Sequence, residues 1–232
     1  MRCTAAAPWI VAAVVATGLA VQDAPAQTSG LPTVAVLDFT GLMVGEGGNS
    51  APLGKAVASM LITELSDREG MQVIERTRLQ DILTEQRLSL SGRVSENTAL
   101  EVGQMLGAQY VVYGQVTSIA GMLRMDLHAI DVETSEILEA QKLSGRTDEL
   151  LDVVMRIADL FAGELELAPP SERPAMEPIP VRATIEFSRA VDFEDRGDRQ
   201  KAIEHYQRTL EIHPEHRDAR RALERLQTGG GG

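Results

Sequence analysis

The chain has 232 residues, room for one ordinary domain and an appendage; 44% are hydrophobic but only 3% aromatic, so a buried core must be built from Leu, Val, Ile, Ala and Met. A formal net charge of −12 argues against nucleic acid or anionic lipid as the main partner, because a strongly acidic surface repels both. The only cysteine is Cys3, which leaves the rest of the chain without a disulfide framework or a cysteine metal site and suits an oxidising compartment.

The first residues read as an export signal. Arg2 supplies a positive start, Trp9 to Val21 an apolar stretch, and Ala24-Pro25-Ala26 a cleavage site, so residues 1–26 are expected to be removed. The apolar run is shorter than the roughly 20 residues that span a bilayer. No lipobox precedes a cysteine, since Cys3 comes before the apolar run, and no lipid anchor is expected.

The following chain is organised around Thr33-Val34-Ala35-Val36-Leu37-Asp38-Phe39, an apolar, β-branched run suited to a strand covered on both faces of an α/β sheet. After Ser50, a candidate N-cap, Leu53, Val57, Leu61 and Leu65 recur at helical spacing, and Gly70 closes the helix. Met71 to Arg76 reads as a short strand. Thr77 and Gln80 form a capping-box pair for a helix running to about Leu90. Ser95 caps a third helix, with Ala99, Val102 and Leu106 on one face and Gly107 at its end.

A β-rich part begins at Tyr110 to Thr117, turns at Gly121, and continues with Leu123, Met125, Leu127 and Ala129 alternating against Arg124, Asp126 and His128. The alternation changes phase at Ile130 and Val132, which predicts a bulge or a strand end. Glu133 to Glu136 is a turn, Ile137 to Ser144 a return strand, and Asp148 to Leu165 a helix with Leu151, Val154, Ile157, Ala158 and Phe161 inward.

Five prolines between Pro169 and Pro180 predict an extended linker, residues 167–181. Beyond it, residues 182–228 read as a pair of charged helices hinged at Gly197-Asp198 and a third after Pro214, with Gly229 to Gly232 a frayed end. Residues 27–166 carry ten Lys/Arg against twenty-one Asp/Glu, whereas residues 184–226 carry nine against ten, so the acidic surface belongs to the first part.

Val36-Leu37-Asp38-Phe39, Glu75-Arg76, Leu83 with Glu85-Gln86, and Gly103 through Gly107-Ala108 to Gly114 together resemble the CsgG family of curli secretion and assembly proteins, over residues 33 to 146. Asp131-Val132-Glu133-Thr134 resembles the family's hairpin turn, with Ser135 where glycine is usual. The resemblance implies an extracytoplasmic α/β domain, a small mixed sheet flanked by helices over residues 27–166, at the inner face of a bacterial outer membrane. Asp38, Phe39, Glu75, Arg76, Gly107 and Gly114 would be its structural residues. The type member is a lipidated ring-shaped pore. This chain lacks the lipobox cysteine, and its strand connections are a few residues long, whereas a spanning hairpin needs two further strands of about 9–11 residues. The fold carries over and the pore does not.

Ala190, Phe193, Gly197, Ala202, Tyr206 and Pro214 fall at the spacings of one tetratricopeptide repeat, with Thr209 where alanine is usual. The resemblance implies a protein-binding groove at Phe193, Tyr206, Ala190 and Ala202. A single repeat is marginal alone and needs the first domain, another copy or a partner to cover it.

No catalytic set is expected. His128 falls on the polar side of an alternating strand. His205, His213 and His216 hold a metal only loosely at best. Gly45-Glu46-Gly47-Gly48 sits where phosphate loops sit but lacks their Lys-Ser/Thr pair. Asp38, at a strand end, is either a site residue or a cap of the loop or helix that follows. Glu75 and Arg76 form a fixed ion pair or hold the helix start. The expectation is a non-enzymatic periplasmic adaptor in outer-membrane assembly or secretion, without metal or cofactor. Its partners would be proteins, through self-association and an envelope or secreted partner. The alternatives are an oligomeric curli-type channel component and an activator of an envelope enzyme.

Overall fold

The structure, a computed structural model, describes residues 30–41, 43–44, 50–85, 94–168 and 177–228; for residues 43, 44, 50, 51, 139 and 140 only the backbone is described. The export-signal segment, the glycine run from Gly45 to Gly48, the end of the second helix beyond Glu85, most of the proline stretch and the terminal glycines lie outside the described residues.

Among the described residues seven strands form one mixed sheet: β1 (Thr33–Val36), β2 (Met43–Val44), β3 (Ser50–Ala51), β4 (Gln72–Val73), β5 (Tyr110–Ile119), β6 (Met122–Asp131) and β7 (Ile137–Arg146). β5 is the hub. Its first residues pair in parallel with β1, its last in parallel with β2, and its whole length antiparallel with β6. β1 pairs in parallel with β4, and β6 antiparallel with β7. The helices are α1 (Leu53–Ser66), α2 (Arg76–Glu85), α3 (Glu96–Leu106), α4 (Leu150–Glu164), α5 (Val181–Asp195), α6 (Arg199–Ile212) and α7 (Arg217–Thr228).

The period-two rule explains the layers. Val34 and Val36 of β1 face a core shared with α1 and α4, while Ala35 and Leu37 face a second core shared with α2 and α3. The expected phase change appears as a register shift between Ala129 and Ile130 where β6 pairs with β7. Ser135, in place of the usual glycine, takes a left-handed conformation at φ 61°. Gly107 closes α3 at φ 65°, and the Ser95 hydroxyl accepts the Thr98 amide at 3.2 Å at its start.

Several boundaries differ from the reading of the sequence. Ser50 lies in β3, so α1 starts after Pro52 without a side-chain cap. The strand expected over Met71 to Arg76 is only Gln72–Val73, because Arg76 already opens α2; Thr77 therefore sits inside the first turn instead of capping it. A 3-10 turn, Thr147–Glu149, precedes α4.

α1 is the central helix. Besides the expected stripe, Ala56, Ala58 and Met60 are fully buried, so α1 is covered on more than one side. The sheet lies under one side and α5 packs on another. Phe187, Ala190 and Val191 of α5, Ala202 and Tyr206 of α6, and Ala219 and Ala222 of α7 all join the core of α1 and the sheet. Leu31–Gly232 form one compact unit. Full burial of Phe187 is worth about 2–3 kcal/mol of apolar transfer.

The motif residues explain themselves here. The Phe39 ring lies against Gly114: a Cβ at Gly114 would stand 2.7 Å from that ring and 2.1 Å from the Asp126 carbonyl oxygen of β6. Only glycine lets the aromatic ring and the neighbouring strand approach this backbone together.

Candidate functional site: the cleft between the α/β layers and the C-terminal helices

Arg76, at the start of α2, joins three parts of the chain. Its Nε donates to Asp195 Oδ1 at 3.0 Å and its Nη2 to Asp195 Oδ2 at 2.7 Å, a two-point clamp. The same Nη2 lies 2.6 Å from Asp38 Oδ1, just beyond the end of β1. Lys55 of α1 completes the network, with Nζ 2.9 Å from both Asp195 and Asp192. Burial works against the charges of Arg76 and Lys55, but the facing carboxylates outweigh it and both pKa values are raised.

This corrects two expectations. Arg76 does not pair with Glu75: Glu75 precedes α2 and is exposed, while Arg76 opens the helix and turns to Asp38 and Asp195. Asp38 does not cap α1, which starts without a side-chain cap; its carboxylate faces Arg76.

A second set of pairs fixes α7. The Arg217 guanidinium contacts Glu64 of α1, and Arg221 reaches both carboxylate oxygens of Asp67 at 3.2 Å. Glu194 of α5 accepts from Tyr206 Oη at 2.6 Å and from Arg225 at 2.6 Å. Burial, reinforced by Glu194, raises the Tyr206 pKa well above its ordinary value.

Between these clamps lies a cleft of about 610 Å³, walled by α1, α2, α5, α6 and α7. Thr63 of α1, Gln80 and Asp81 of α2, Tyr206 of α6, and Arg221 and Arg225 of α7 line it. The lining sets hydroxyl, amide, carboxylate and guanidinium groups beside the apolar side chains of Ile62 and Val191, so it offers both hydrogen-bonding groups and apolar surface.

Of the four groove residues, Ala190, Ala202 and Tyr206 are buried in the chain's own core, and Tyr206 reaches the cleft. Phe193 is half-buried, stacked on His205 at 5.1 Å with Lys201 above its ring. His205 Nδ1 lies 2.6 Å from Glu186, His128 stacks on Tyr113, and His216 is buried on Phe187 at 4.6 Å between ring centres. Among the described residues no three His, Cys, Asp or Glu side chains are grouped to hold a metal ion, and no helix is long and apolar enough to cross a membrane.

Sequence reading missed Lys55, Asp192, Asp195, Arg221 and Arg225. One signal was present: Asp192, Glu194 and Asp195 crowd the last turn of α5, where the helix dipole disfavours negative charge unless cations hold it.

Residues 15–121 match the family model described as curli production assembly/transport component CsgG. The match ends at Gly121, short of the 33–146 span of the resemblance, so the Asp131–Thr134 turn and the C-terminal helices stand outside it. No curated protein matches the chain. Solved structures that are similar in part include the C-terminal domain of LpoB from Salmonella enterica (16% identity, 52% of this chain and 87% of that one, TM-score 0.41). TolB from Acinetobacter baumannii is similar at 16% identity over 59% of this chain and 28% of that one, TM-score 0.41. The PelC dodecamer from Paraburkholderia phytofirmans is similar at 14% identity over 60% and 90%, TM-score 0.35.

Proposed function

We propose that this protein is an exported, non-enzymatic adaptor of the bacterial cell envelope, in which a CsgG-like α/β domain presents a partner-binding cleft completed by tetratricopeptide-like C-terminal helices. The observation that carries the reading is the Arg76 clamp. Arg76, one of the residues that carried the family resemblance, holds Asp195 of the C-terminal helices and so builds the cleft from both parts of the chain. The CsgG match over residues 15–121 supports the class, and the export-signal reading of residues 1–26 supports a periplasmic location near the outer membrane.

Because Ala190, Ala202 and Tyr206 are interior, the partner surface is the mixed polar and apolar cleft beside them instead of an open groove. The test is site-specific photo-crosslinking in cells, with the probe at Gln80 or Arg225 on the cleft and at Lys142 on β7 as control. A discrete protein adduct from the cleft positions, absent from Lys142 and lost in Asp195→Arg, supports the reading. Equal adducts from all three positions, or a cytoplasmic protein after fractionation, refute it.

A further inference from the structure

We propose that the docking of α7 on α1 is a pH-sensitive latch, with Asp218 as the sensor: its carboxyl must be neutral for α7 to sit fully closed.

Asp218 is the second residue of α7 and is only 6% exposed, at the contact with α1. Its Oδ1 has no hydrogen-bond partner, and the Thr63 hydroxyl of α1, which donates to the Ser59 carbonyl at 3.3 Å, acts on the carboxyl in favour of its charged form. From α1 it faces Glu64, and Asp67, one turn on, holds the same two arginines. From α7 itself it faces Arg217 and Arg221, and His213 and His216 lie in the turn before it. Both guanidiniums are already engaged, Arg217 by Glu64 and Asp67 and Arg221 by Asp67. Three carboxylates therefore stand against two guanidiniums at one helix contact, and the guanidiniums are paired with Glu64 and Asp67. His216 supplies no third cation. Burial against the Phe187 ring, with His213 and Arg217 adding to the effect, keeps its imidazole neutral and pushes its pKa down to about 3. From α5 the junction receives Phe187 and the buried Thr184 hydroxyl, neither of them charged. A proton on Asp218 balances the charge of the three carboxylates and two guanidiniums and spares a buried oxygen without a hydrogen-bond partner a full negative charge.

The direction follows from linkage. Burial, with Glu64 adding to it and Thr63, Arg217 and Arg221 opposing it, raises the Asp218 carboxyl from an ordinary 3.8 to about 6. A group whose pKa is higher in the docked state takes up a proton on docking. Docking therefore strengthens as pH falls through about 6 and levels off near 4; two pH units correspond to roughly a hundred-fold in the open–closed equilibrium. α7 also supplies Arg221 and Arg225 to the cleft, so acidification would hold the cleft in the shape described above. That consequence rests on the proposed use of the cleft; the latch does not.

Hydrogen exchange of the whole protein, followed by mass spectrometry between about pH 5 and pH 7.5 and corrected for intrinsic exchange, tests the latch. The protection of α7 relative to α4 should fall by about ten-fold or more over that range. Asp218→Asn should abolish the slope and keep α7 protected at the upper pH. Thr63→Val removes a bond that favours the charged carboxyl and should move the midpoint to higher pH. A flat profile in the parent protein, an unchanged slope in Asp218→Asn, or a downward move in Thr63→Val overturns the proposal. Cleft crosslinking at the two pH extremes reads the consequence separately: an unchanged adduct with a titrating α7 refutes only the link to the cleft.

Discussion

Replacing Arg76 with methionine tests whether the clamp at the base of the cleft holds the C-terminal helices to the sheet. Methionine keeps an apolar stem of similar reach but removes the charge shared by Asp38 and Asp195, whose side chains are 18% and 6% exposed. Removing one partner of a buried ion pair costs about 3–5 kcal/mol, mainly through the charge left behind. Asp195 retains Lys55 at 2.9 Å, which places Arg76→Met at the lower end, about 3 kcal/mol. For a chain of this size that is a fall in Tm of about 6–12 °C, read by circular dichroism, with urea unfolding as a second measure. The companion variant is informative because its sign differs. Adding Asp195→Leu to Arg76→Met removes the orphaned carboxylate and should recover about 1 kcal/mol or more, so the pair is less than additive. A loss below about 1 kcal/mol for Arg76→Met, or strict additivity in the double variant, refutes the clamp as an energetic link.

Tyr206→Phe removes the hydroxyl that donates to Glu194 and should cost about 1.5–2 kcal/mol in urea unfolding, since a charged acceptor loses a bond inside the structure. Gly114→Ala places a methyl group against the Asp126 carbonyl and the Phe39 ring, and should cost about 3 kcal/mol or more or leave the protein insoluble on expression. Asp126 should shape the acid limb of stability. Burial acts against its charge, but Arg124 and Gln115 prevail and hold the carboxyl below its ordinary range. Its contribution is thus present above the ordinary carboxylate pKa and lost as pH falls through the lowered one, and Asp126→Asn should flatten that limb in Tm measured against pH. Truncation before Val181 uncovers the outer side of α1, so the remaining chain should bind a hydrophobic dye and lose its cooperative transition; a sharp transition without dye binding would show that α1 is stable uncovered.

Local signals in the chain were read well where the cause was local. Ser95 and Gly107 bound α3 because capping is decided by a hydroxyl three residues from an amide and by a residue free to take positive φ. The phase change at Ile130 appears as a register shift because alternation along one strand records which face is buried. Boundaries failed where a longer-range partner outvoted a local pattern. Ser50 looks like a cap, yet its backbone pairs with β2, and the Thr77–Gln80 pattern looks like a helix start, yet Arg76 is already helical and turned toward Asp38 and Asp195.

The sequence by itself determined the α/β class, the order of the helices and of the strands other than β2 and β3, and the mixed-charge C-terminal helices, because periodicity and composition are properties of neighbours along the chain. It also held Asp38, Phe39, Arg76 and Gly114 as residues that matter. Only the tertiary structure decided what they do. Asp38 and Arg76 lie 38 positions apart in the chain, and Arg76 and Asp195 lie 119 apart. No pattern along the chain encodes a guanidinium that two distant carboxylates share. The burial of α1 between the sheet and α5 likewise depends on the fold, since alanines such as Ala56 and Ala58 become core only when another helix comes close enough to cover them.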